Sequence, residues 1–446
     1  MSAATTLIAF VITLGVLIVV HEFGHYWVAR RCGVRVLRFS IGFGRPLWRR
    51  VYGDDRTEWV VAAIPLGGYV RMLDEHDPDT DPKLLADLSR AFNRQPVAKR
   101  IAIVLAGPLA NLLLAVGVYW LLNVSGTLEP RAVLAEPAPE TIAARAGLRD
   151  GDEVRLIDGR HVRAYSELRW KLLERAVDRA AVELTVRSSG GAERTVRLEL
   201  TQLGPGEIDQ TVFSRIGLAL AEPPPVVRQV AADSVAAVAG LRPGDRFVSI
   251  DGQPTARSRD VSQAVRGAPG RAVQAVIERD GRQQSLQLQP AAVQVDGQTI
   301  GRIGVDFRDL VEVRYGPVES VGLAVERTWD TAVFSLRMLG KMITGEASWK
   351  NLSGPVTIAD YAGQTARMGA VAYLSFLALV SISLGVLNLL PIPMLDGGHL
   401  LYYFIEILKG SPPADWVVEW GQRAGIGVLV LLTALALYND LTRLLA

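Results

Sequence analysis

The chain has 446 residues, of which 49% are hydrophobic and 21% are charged. Its mean hydropathy of +0.22 exceeds that of most soluble enzymes, so we expect a membrane protein with soluble parts. A formal net charge of only +2 gives no overall basic field, so nucleic acid is not an expected partner. The single cysteine, Cys32, excludes an intramolecular disulfide framework and a cysteine-rich metal site, so any metal must be held by histidines and carboxylates.

Four apolar runs are candidates for helices that cross the ~30 Å of bilayer hydrocarbon. They are Ala3 to Val20, Ile101 to Leu122, Ala370 to Leu395 and Ala424 to Tyr438. The fourth is short and would need its flanks or a thinner bilayer to span. A removable signal peptide is the alternative for the first run. That run, however, lacks a basic start and is followed by His21 and Glu22 rather than by a small-residue cleavage site.

The HExxH motif His21-Glu22-Phe23-Gly24-His25 ends the first apolar run. On a helix its two histidines lie one turn apart, so both imidazoles reach one zinc ion, and Glu22 is placed to take a proton from water at the metal. That proton can then pass to the leaving amine. A chance match is the alternative, but three ionisable residues in an apolar run are costly without a function.

Positive charge predicts the orientation of the chain in the membrane. Lys99 and Arg100 precede the second run, and eight arginines follow the first: Arg30, Arg31, Arg35, Arg38, Arg45, Arg49, Arg50 and Arg56. The positive-inside rule therefore places this loop in the cytoplasm, and both termini and the 127–369 region in the periplasm of a Gram-negative cell. Because His21 lies about 13 Å of helix before Arg30, the zinc is expected inside the bilayer near its cytoplasmic face.

A catalytic zinc usually has three protein ligands, so one more is needed. His76 lies in an acidic loop and His161 in the region across the membrane, so neither is expected at the depth of His21. Asp396 and His399 follow the third run, which ends on the same side of the membrane as His21. Both are candidates for the third ligand.

The long region before the third run contains an internal repeat. RAGLRDGDEVRLIDG within Val133 to Gly159 and VAGLRPGDRFVSIDG within Val226 to Gly252 are offset by 93 residues, and RIGLAL from Arg215 is echoed by RIGVDF from Arg302. Two copies of one β-rich module are therefore predicted. The pattern resembles bacterial PDZ domains, whose groove accepts a peptide by strand addition. The alternative is a pair of spacers without a ligand.

A β-hairpin is predicted in the cytoplasmic loop. Apolar residues alternate with polar or small ones from Leu37 to Phe43, and a second strand-like run, Trp59 to Ile64, follows. An edge strand near the zinc could hold an unwound substrate segment, whereas the alternative is a hairpin that lies passively on the membrane. Val318 to Gly345 has an apolar stripe among many charges and is predicted to be an amphipathic helix on the membrane surface.

Taken together, these motifs resemble the site-2 protease family, in its bacterial branch with two PDZ domains. The similarity covers nearly the whole chain: HEFGH, FSIGFGRPLWRR, IPLGGYV, GPLAN, the two repeats, NLSGP and NLLPIPMLDGGHL. The resemblance implies Asp396 rather than His399 as the third ligand of one zinc ion. It also implies active-site roles for Asn388 and Pro391 and an association of Gly42 and Gly44 with substrate. Pro391 and Pro393 are expected to break the helix, and broken backbone at membrane depth needs protein or a water-filled cavity beside it. The alternative is that these prolines only kink a packed helix.

The predicted architecture is a multi-span α-helical membrane protein with about four transmembrane helices, a membrane-associated β-hairpin and two β-rich PDZ-like domains. The expected segments are a first transmembrane helix (1–31), the cytoplasmic loop with the hairpin (32–100), a second helix (101–124), two PDZ-like domains (127–221 and 222–310), an amphipathic helix with its connection (316–369), a third helix with the LDG motif (370–400) and a fourth helix (424–443).

The resemblance implies an intramembrane zinc endopeptidase of the inner membrane that cleaves single-span proteins. In this branch the substrate is an anti-sigma factor whose periplasmic domain has already been trimmed, and the outcome is an envelope stress response. The PDZ-like domains would act as a size filter or bind peptide or protein termini. Two other functions are alternatives. A membrane-anchored, non-catalytic PDZ adaptor would not need Glu22 between the histidines, and a zinc carrier would need polar groups along several spans.

Overall fold

The computed structural model describes residues 3–75, 77, 80, 88–204, 207–209, 211–295 and 298–445. His76 and much of the acidic run around it lie outside the described residues. The chain divides into two compact units, a mainly helical unit formed by the segments up to Gly126 and from Arg314 onward, and a β-rich unit, Thr127–Val313. Within the described residues, four helices are long and apolar enough to cross a membrane: Ala4–Arg31, Val97–Ser125, Ala370–Asn388 and Trp416–Arg443.

The first half of the helical unit consists of two long helices joined by a curled sheet. Helix α1 covers Ala3–Arg31, strand β1 Val36–Tyr52, strand β2 Thr57–Met72 and helix α2 Val97–Ser125. The two strands are bent and pair with each other twice, since Phe39 lies opposite both Trp59 and Val70. The beginning of β1 is therefore flanked on both sides, and residues 68–72 of β2 form one edge of the sheet.

The β-rich unit begins with β3 (Thr127–Pro130) and contains two modules built in the same order. The first has α3 (Ile142–Arg145), β4 (Glu153–Ile157), β5 (Arg160–His161), α4 (Tyr165–Val177), β6 (Val182–Arg187), β7 (Glu193–Leu198) and α5 (Val212–Ile216), and the second has β8 (Gln229–Val230), α6 (Val235–Val238), β9 (Arg246–Ile250), β10 (Gln253–Pro254), α7 (Ser258–Arg266), β11 (Val273–Arg279) and β12 (Arg282–Leu288). Strands β13 (Ala291–Val295), β14 (Gln298–Arg302), β15 (Val305–Asp306) and β16 (Leu310–Val313) complete the unit.

The two modules share one sheet topology. Their four-stranded sheets have the orders β5-β4-β6-β7 and β10-β9-β11-β12, and each encloses its own apolar core. The sequence offset of 93 residues carries over to the structure, because α3, β4, β5 and α4 each begin 93 residues before α6, β9, β10 and α7. The repeat in the sequence thus corresponds to a repeated fold.

Among its described residues, the second half of the helical unit contains five α-helices: α8 (Pro317–Ile343), α9 (Pro355–Met368), α10 (Ala370–Asn388), α11 (Asp396–Lys409) and α12 (Asp415–Leu445). The single helix expected over 370–400 is divided in two. Pro391 and Pro393 lack the N–H that a helix needs and disfavour helical backbone in the residue before them, so α10 ends at Asn388 and the LDG motif opens α11. The last helix, of 31 residues, is longer than the apolar run that predicted it.

Helix α8 buries small residues, Ala324 among them, and Ala324 joins an apolar cluster with Ala115 of α2 and Ala378 of α10. Its predicted position on the membrane surface stays a prediction. Helices α1 and α2 also pack closely, since a Cβ at Gly24 would lie 2.3 Å from the Ala106 carbonyl oxygen. Such backbone contact needs glycine at the crossing, and it brings the HExxH turn of α1 against α2. The predicted fold class is confirmed.

Candidate metal centre

The two histidines of the HExxH motif lie side by side on α1. His21 and His25 are both buried, as their spacing of four residues on one helix face requires. Their Nε2 atoms are 3.3 Å apart, and the rings meet edge to face with their planes at 83°. Two imidazole nitrogens thus point toward one spot beside α1.

The carboxylate of Asp396 completes a group of three. Its Oδ2 lies 3.2 Å from His21 Nε2 and 3.5 Å from His25 Nε2. Within the described residues this oxygen is buried, yet no N–H or O–H is aligned to donate to it. A buried carboxylate oxygen without a donor is costly, so its position calls for a cation.

The spacing of the three atoms fits zinc. Zinc binds histidine nitrogen at about 2.0–2.1 Å and carboxylate oxygen at about 2.0–2.2 Å, usually in a tetrahedron whose edges are then roughly 3.3–3.5 Å. The observed separations of 3.2, 3.3 and 3.5 Å match those edges. Two nitrogens and one oxygen are also the donors of a catalytic zinc that keeps its fourth position for water.

Close backbone contacts hold Asp396 in place. It is the first residue of α11, after a turn in which Met394 has φ +94°. A Cβ on Gly397 would lie 2.2 Å from the Leu390 carbonyl oxygen, and one on Gly398 would lie 2.5 Å from that of Ile392. The glycines of the LDGG sequence thus let α11 begin tightly against the proline-containing turn.

The structure separates the remaining candidates from this group. His399 is exposed, and it is not part of the group formed by His21, His25 and Asp396. Asn388 is the last residue of α10, and Pro391 is exposed in the turn that leads to Asp396. Both belong to the connection that carries the carboxylate rather than to the three converging side chains.

Glu22 lies where the hairpin approaches α1. A Cβ on Gly68 would be 2.9 Å from Glu22 Cγ, so the edge segment of β2 passes directly beside this side chain. The bends of β1 depend on Gly42, with φ +91°, and Gly44, with φ +85°, a region that side chains rarely adopt. A Cβ on Gly42 would also lie 2.7 Å from the Ile64 carbonyl oxygen. The two glycines therefore shape the hairpin beside Glu22.

Helix α2 supplies neighbours of the histidines that sequence reasoning missed. The Ile103 carbonyl oxygen lies 2.8 Å from His25 Nδ1, and the Asn111 amide lies 3.2 Å from His21 Nδ1. Between them, a Cβ on Gly107 would be only 2.2 Å from His25 Nε2. These three positions, spaced by four, lie on one helix face. The available signal was the GPLAN motif, in which a glycine and an asparagine interrupt the second apolar run.

Membrane-spanning helices that carry a buried HExxH turn are typical of membrane-embedded metallopeptidases. Residues 9–432 match the profile of peptidase family M50. The chain therefore belongs to peptidase family M50, the site-2 proteases, and is a multi-pass intramembrane protease.

Individual relatives cover almost the whole chain. It is 46% identical to a putative zinc metalloprotease of Ralstonia nicotianae and 42% identical to the regulator of sigma-E protease RseP of Escherichia coli, in both cases over 98% of each protein. It is 43% identical to the regulator of sigma E protease of Salmonella typhi over 100% of each. Among solved structures, the PDZ domain of an SdrC-like protein from Listeria monocytogenes is 23% identical, with a TM-score of 0.17, and covers 21% of this chain and 93% of that one.

Proposed function

We propose that this protease is a zinc endopeptidase in which one zinc ion is held by His21, His25 and Asp396, with Glu22 as the general base. The observation that carries the proposal is the convergence of three donor atoms at separations of 3.2 to 3.5 Å, two of them on α1, a helix that is apolar enough to cross a membrane. The relatives named zinc metalloprotease and sigma-E protease are consistent with it.

The chemistry divides between the metal and the chain. Zinc at this position would supply a Lewis acid that polarises the scissile carbonyl and acidifies water. Glu22, next to His21 in the motif, takes a proton from the attacking water and returns it to the leaving nitrogen. The half-buried location of Glu22 keeps that proton close to the reacting atoms. The two histidines and Asp396 would hold the metal and transfer no proton in this scheme.

The hairpin provides a way to hold the substrate. A transmembrane helix hides its amides in its own hydrogen bonds, so it must be unwound before a peptidase can reach it. The edge segment 68–72 of β2, whose Gly68 lies beside Glu22, can receive an extended segment by β-augmentation. We assign Gly42 and Gly44 to the support of this edge, and Asn388 and Pro391 to the turn that delivers Asp396.

Charge and the relatives support our proposals for the orientation and the substrate. The arginine-rich hairpin favours a cytoplasmic location for residues 32–100. In the proposed orientation the metal centre lies near the cytoplasmic face of the inner membrane, and the PDZ-like modules and both termini lie in the periplasm. The proposed substrate is a single-span membrane protein such as an anti-sigma factor, cut after its periplasmic domain has been removed. The PDZ-like modules would then bind peptide or protein termini.

The experiment is cleavage in proteoliposomes of a single-span substrate, in intact and pre-trimmed forms, by the wild type and by Glu22→Gln. We expect the wild type to cut the trimmed form faster. Loss of general-base catalysis should slow Glu22→Gln by roughly 10²–10⁴-fold, while its zinc content stays unchanged because glutamine replaces no metal ligand. Normal cutting by zinc-loaded Glu22→Gln would contradict the mechanism, and no cutting by the wild type would favour a PDZ adaptor.

A further inference from the structure

We infer that Asn111 is a positioning residue for the metal centre, whose side-chain oxygen accepts the Nδ1–H of His21 and thereby holds the Nε2 lone pair of that histidine toward the metal. The inference rests on the proposed zinc site. It assigns a role to the asparagine of the GPLAN motif, which lies one helix away from the HExxH motif.

The neighbouring histidine shows the arrangement that metal binding requires. His25 Nδ1 lies 2.8 Å from the Ile103 carbonyl oxygen, and because a carbonyl can only accept, Nδ1 must carry the proton. In a neutral imidazole this leaves a lone pair on Nε2. That atom is the one near Asp396 Oδ2. The backbone of α2 thus fixes the metal-binding tautomer of His25.

His21 needs the same tautomer, and among the described residues it is the Asn111 amide that lies within hydrogen-bond distance of its Nδ1. In the structure Asn111 Nδ2 lies 3.2 Å from that atom, which would put the lone pair on Nδ1 and a proton on Nε2, the nitrogen that must be free to bind the metal. The same orientation leaves Asn111 Oδ1 buried and without a hydrogen-bond partner in the described part of the chain.

Rotation of the Asn111 amide by 180° removes both the proton from His21 Nε2 and the unpaired buried oxygen of Asn111. The two ends of an asparagine amide have the same shape, so hydrogen bonding decides their orientation. With Oδ1 toward His21, the buried acceptor gains a donor, Nδ1 carries its proton and Nε2 is free to bind a cation. Metal-binding histidines commonly donate their other N–H to such a partner, and loss of that partner typically lowers metal affinity by about 10–100-fold.

The surroundings of Asn111 hold its side chain in place. The residue is fully buried, and its backbone carbonyl oxygen accepts a hydrogen bond of 2.7 Å from Ser381 Oγ on α10. A Cβ on Gly385, also on α10, would lie 3.5 Å from Asn111 Cβ. Asn111 is therefore packed between α1, which carries His21, and α10, which leads toward Asp396.

The test compares three full-length variants with the wild type in detergent. Asn111→Asp keeps an acceptor in the same shape, Asn111→Leu keeps the size without an acceptor, and Ser381→Ala removes a neighbouring buried hydrogen bond without contact to the imidazole. The readouts are zinc affinity by chelator competition and the visible absorption spectrum of the cobalt-substituted protein, which reports the coordination geometry.

We expect Asn111→Asp and Ser381→Ala to bind zinc as tightly as the wild type, within about threefold, and to give the wild-type cobalt spectrum. Asn111→Leu should bind zinc about 10–100-fold more weakly and give an altered spectrum. Wild-type affinity in Asn111→Leu, or an equal loss in Ser381→Ala, would overturn the inference. An equal loss in Asn111→Asp would also overturn it, because a donor would then be required.

Two further outcomes have a defined meaning. If Asn111→Leu does not fold, the zinc affinity of Asn111→Asp decides between the two orientations of the amide. A carboxylate can accept from His21 but cannot donate to it, so wild-type affinity supports the inference and a loss of affinity overturns it. If the wild type itself binds no zinc or cobalt, the proposed function fails, whereas a metal-binding wild type with unaffected Asn111 variants refutes only the role of Asn111.

Discussion

Gly107→Ala is expected to weaken metal binding strongly while leaving the helical fold intact. A Cβ at this position would lie 2.2 Å from His25 Nε2 and 2.9 Å from His21 Cε1, whereas carbon atoms in contact normally stay about 3.5–4.0 Å apart. The His25 ring would therefore have to move by roughly 1 Å. Metal–ligand distances tolerate deviations of only about 0.2 Å, so we expect zinc affinity to fall by on the order of 100-fold or more.

The same helix offers a matched control. A Cβ on Gly117, also in α2, would meet nothing within 4 Å. Both substitutions raise helix propensity by about 0.8–1.0 kcal/mol, so neither should destabilise α2 itself. The assay measures zinc affinity, substrate cleavage and thermal unfolding of the zinc-free protein for both variants. Equal zinc affinity in Gly107→Ala and Gly117→Ala would refute the proposed location of the metal.

Two further predictions concern regions away from the metal centre. Asp440 of α12 accepts hydrogen bonds from the backbone N–H groups of Gly354, Val356 and Thr357 at the start of α9. Asp440→Asn should therefore destabilise the first turn of α9 by about 1–3 kcal/mol, as measured by hydrogen exchange. The control Asp360→Asn, at an exposed position of α9, should leave that turn unchanged. In the second module, burial raises the pKa of Asp245, but hydrogen bonds from Arg279 and the Arg242 N–H outweigh it, so the pKa lies below its ordinary value. Because the pKa of Asp245 is lower in the folded protein than in the unfolded chain, its ionised carboxylate stabilises the module fully above about pH 3.9, the unfolded value. This stabilisation is lost as the pH falls through the folded pKa. Asp245→Asn should therefore destabilise the module at pH 7, and the loss, measured by hydrogen exchange corrected for intrinsic exchange rates, should shrink as the pH falls below about 3.9. A loss that stays constant over that range would contradict the lowered pKa.

The parts of the site that depend on local pattern were predictable. The HExxH spacing predicts two histidines on one helix face, and the count of spans put Asp396 on the same side of the membrane as His21. In the structure these side chains do converge. The 93-residue repeat likewise predicted two modules of similar fold, because each repeat carries the same turn residues at the same offsets.

The parts that depend on tertiary contact were not predictable. A glycine in an apolar helix signals close packing but does not say what approaches it, so Gly107 could not be linked to His25. The prolines predicted a break after the third apolar run, but they did not reveal that α11 begins with Gly397 packed against the Leu390 carbonyl oxygen. The double pairing of β1 with β2 also depends on bends at glycines that a strand pattern does not reveal.

The composition of the metal centre is tested most directly by the amount and coordination of bound zinc in the wild type, Asp396→Ala and His399→Ala. X-ray absorption at the zinc edge, combined with metal analysis, gives the number of ions per chain and their nitrogen and oxygen ligands. We expect one zinc with two imidazole nitrogens and otherwise oxygen ligands in the wild type, loss of zinc in Asp396→Ala, and an unchanged site in His399→Ala. Full zinc content with an unchanged spectrum in Asp396→Ala, or loss of zinc in His399→Ala, would contradict the assignment.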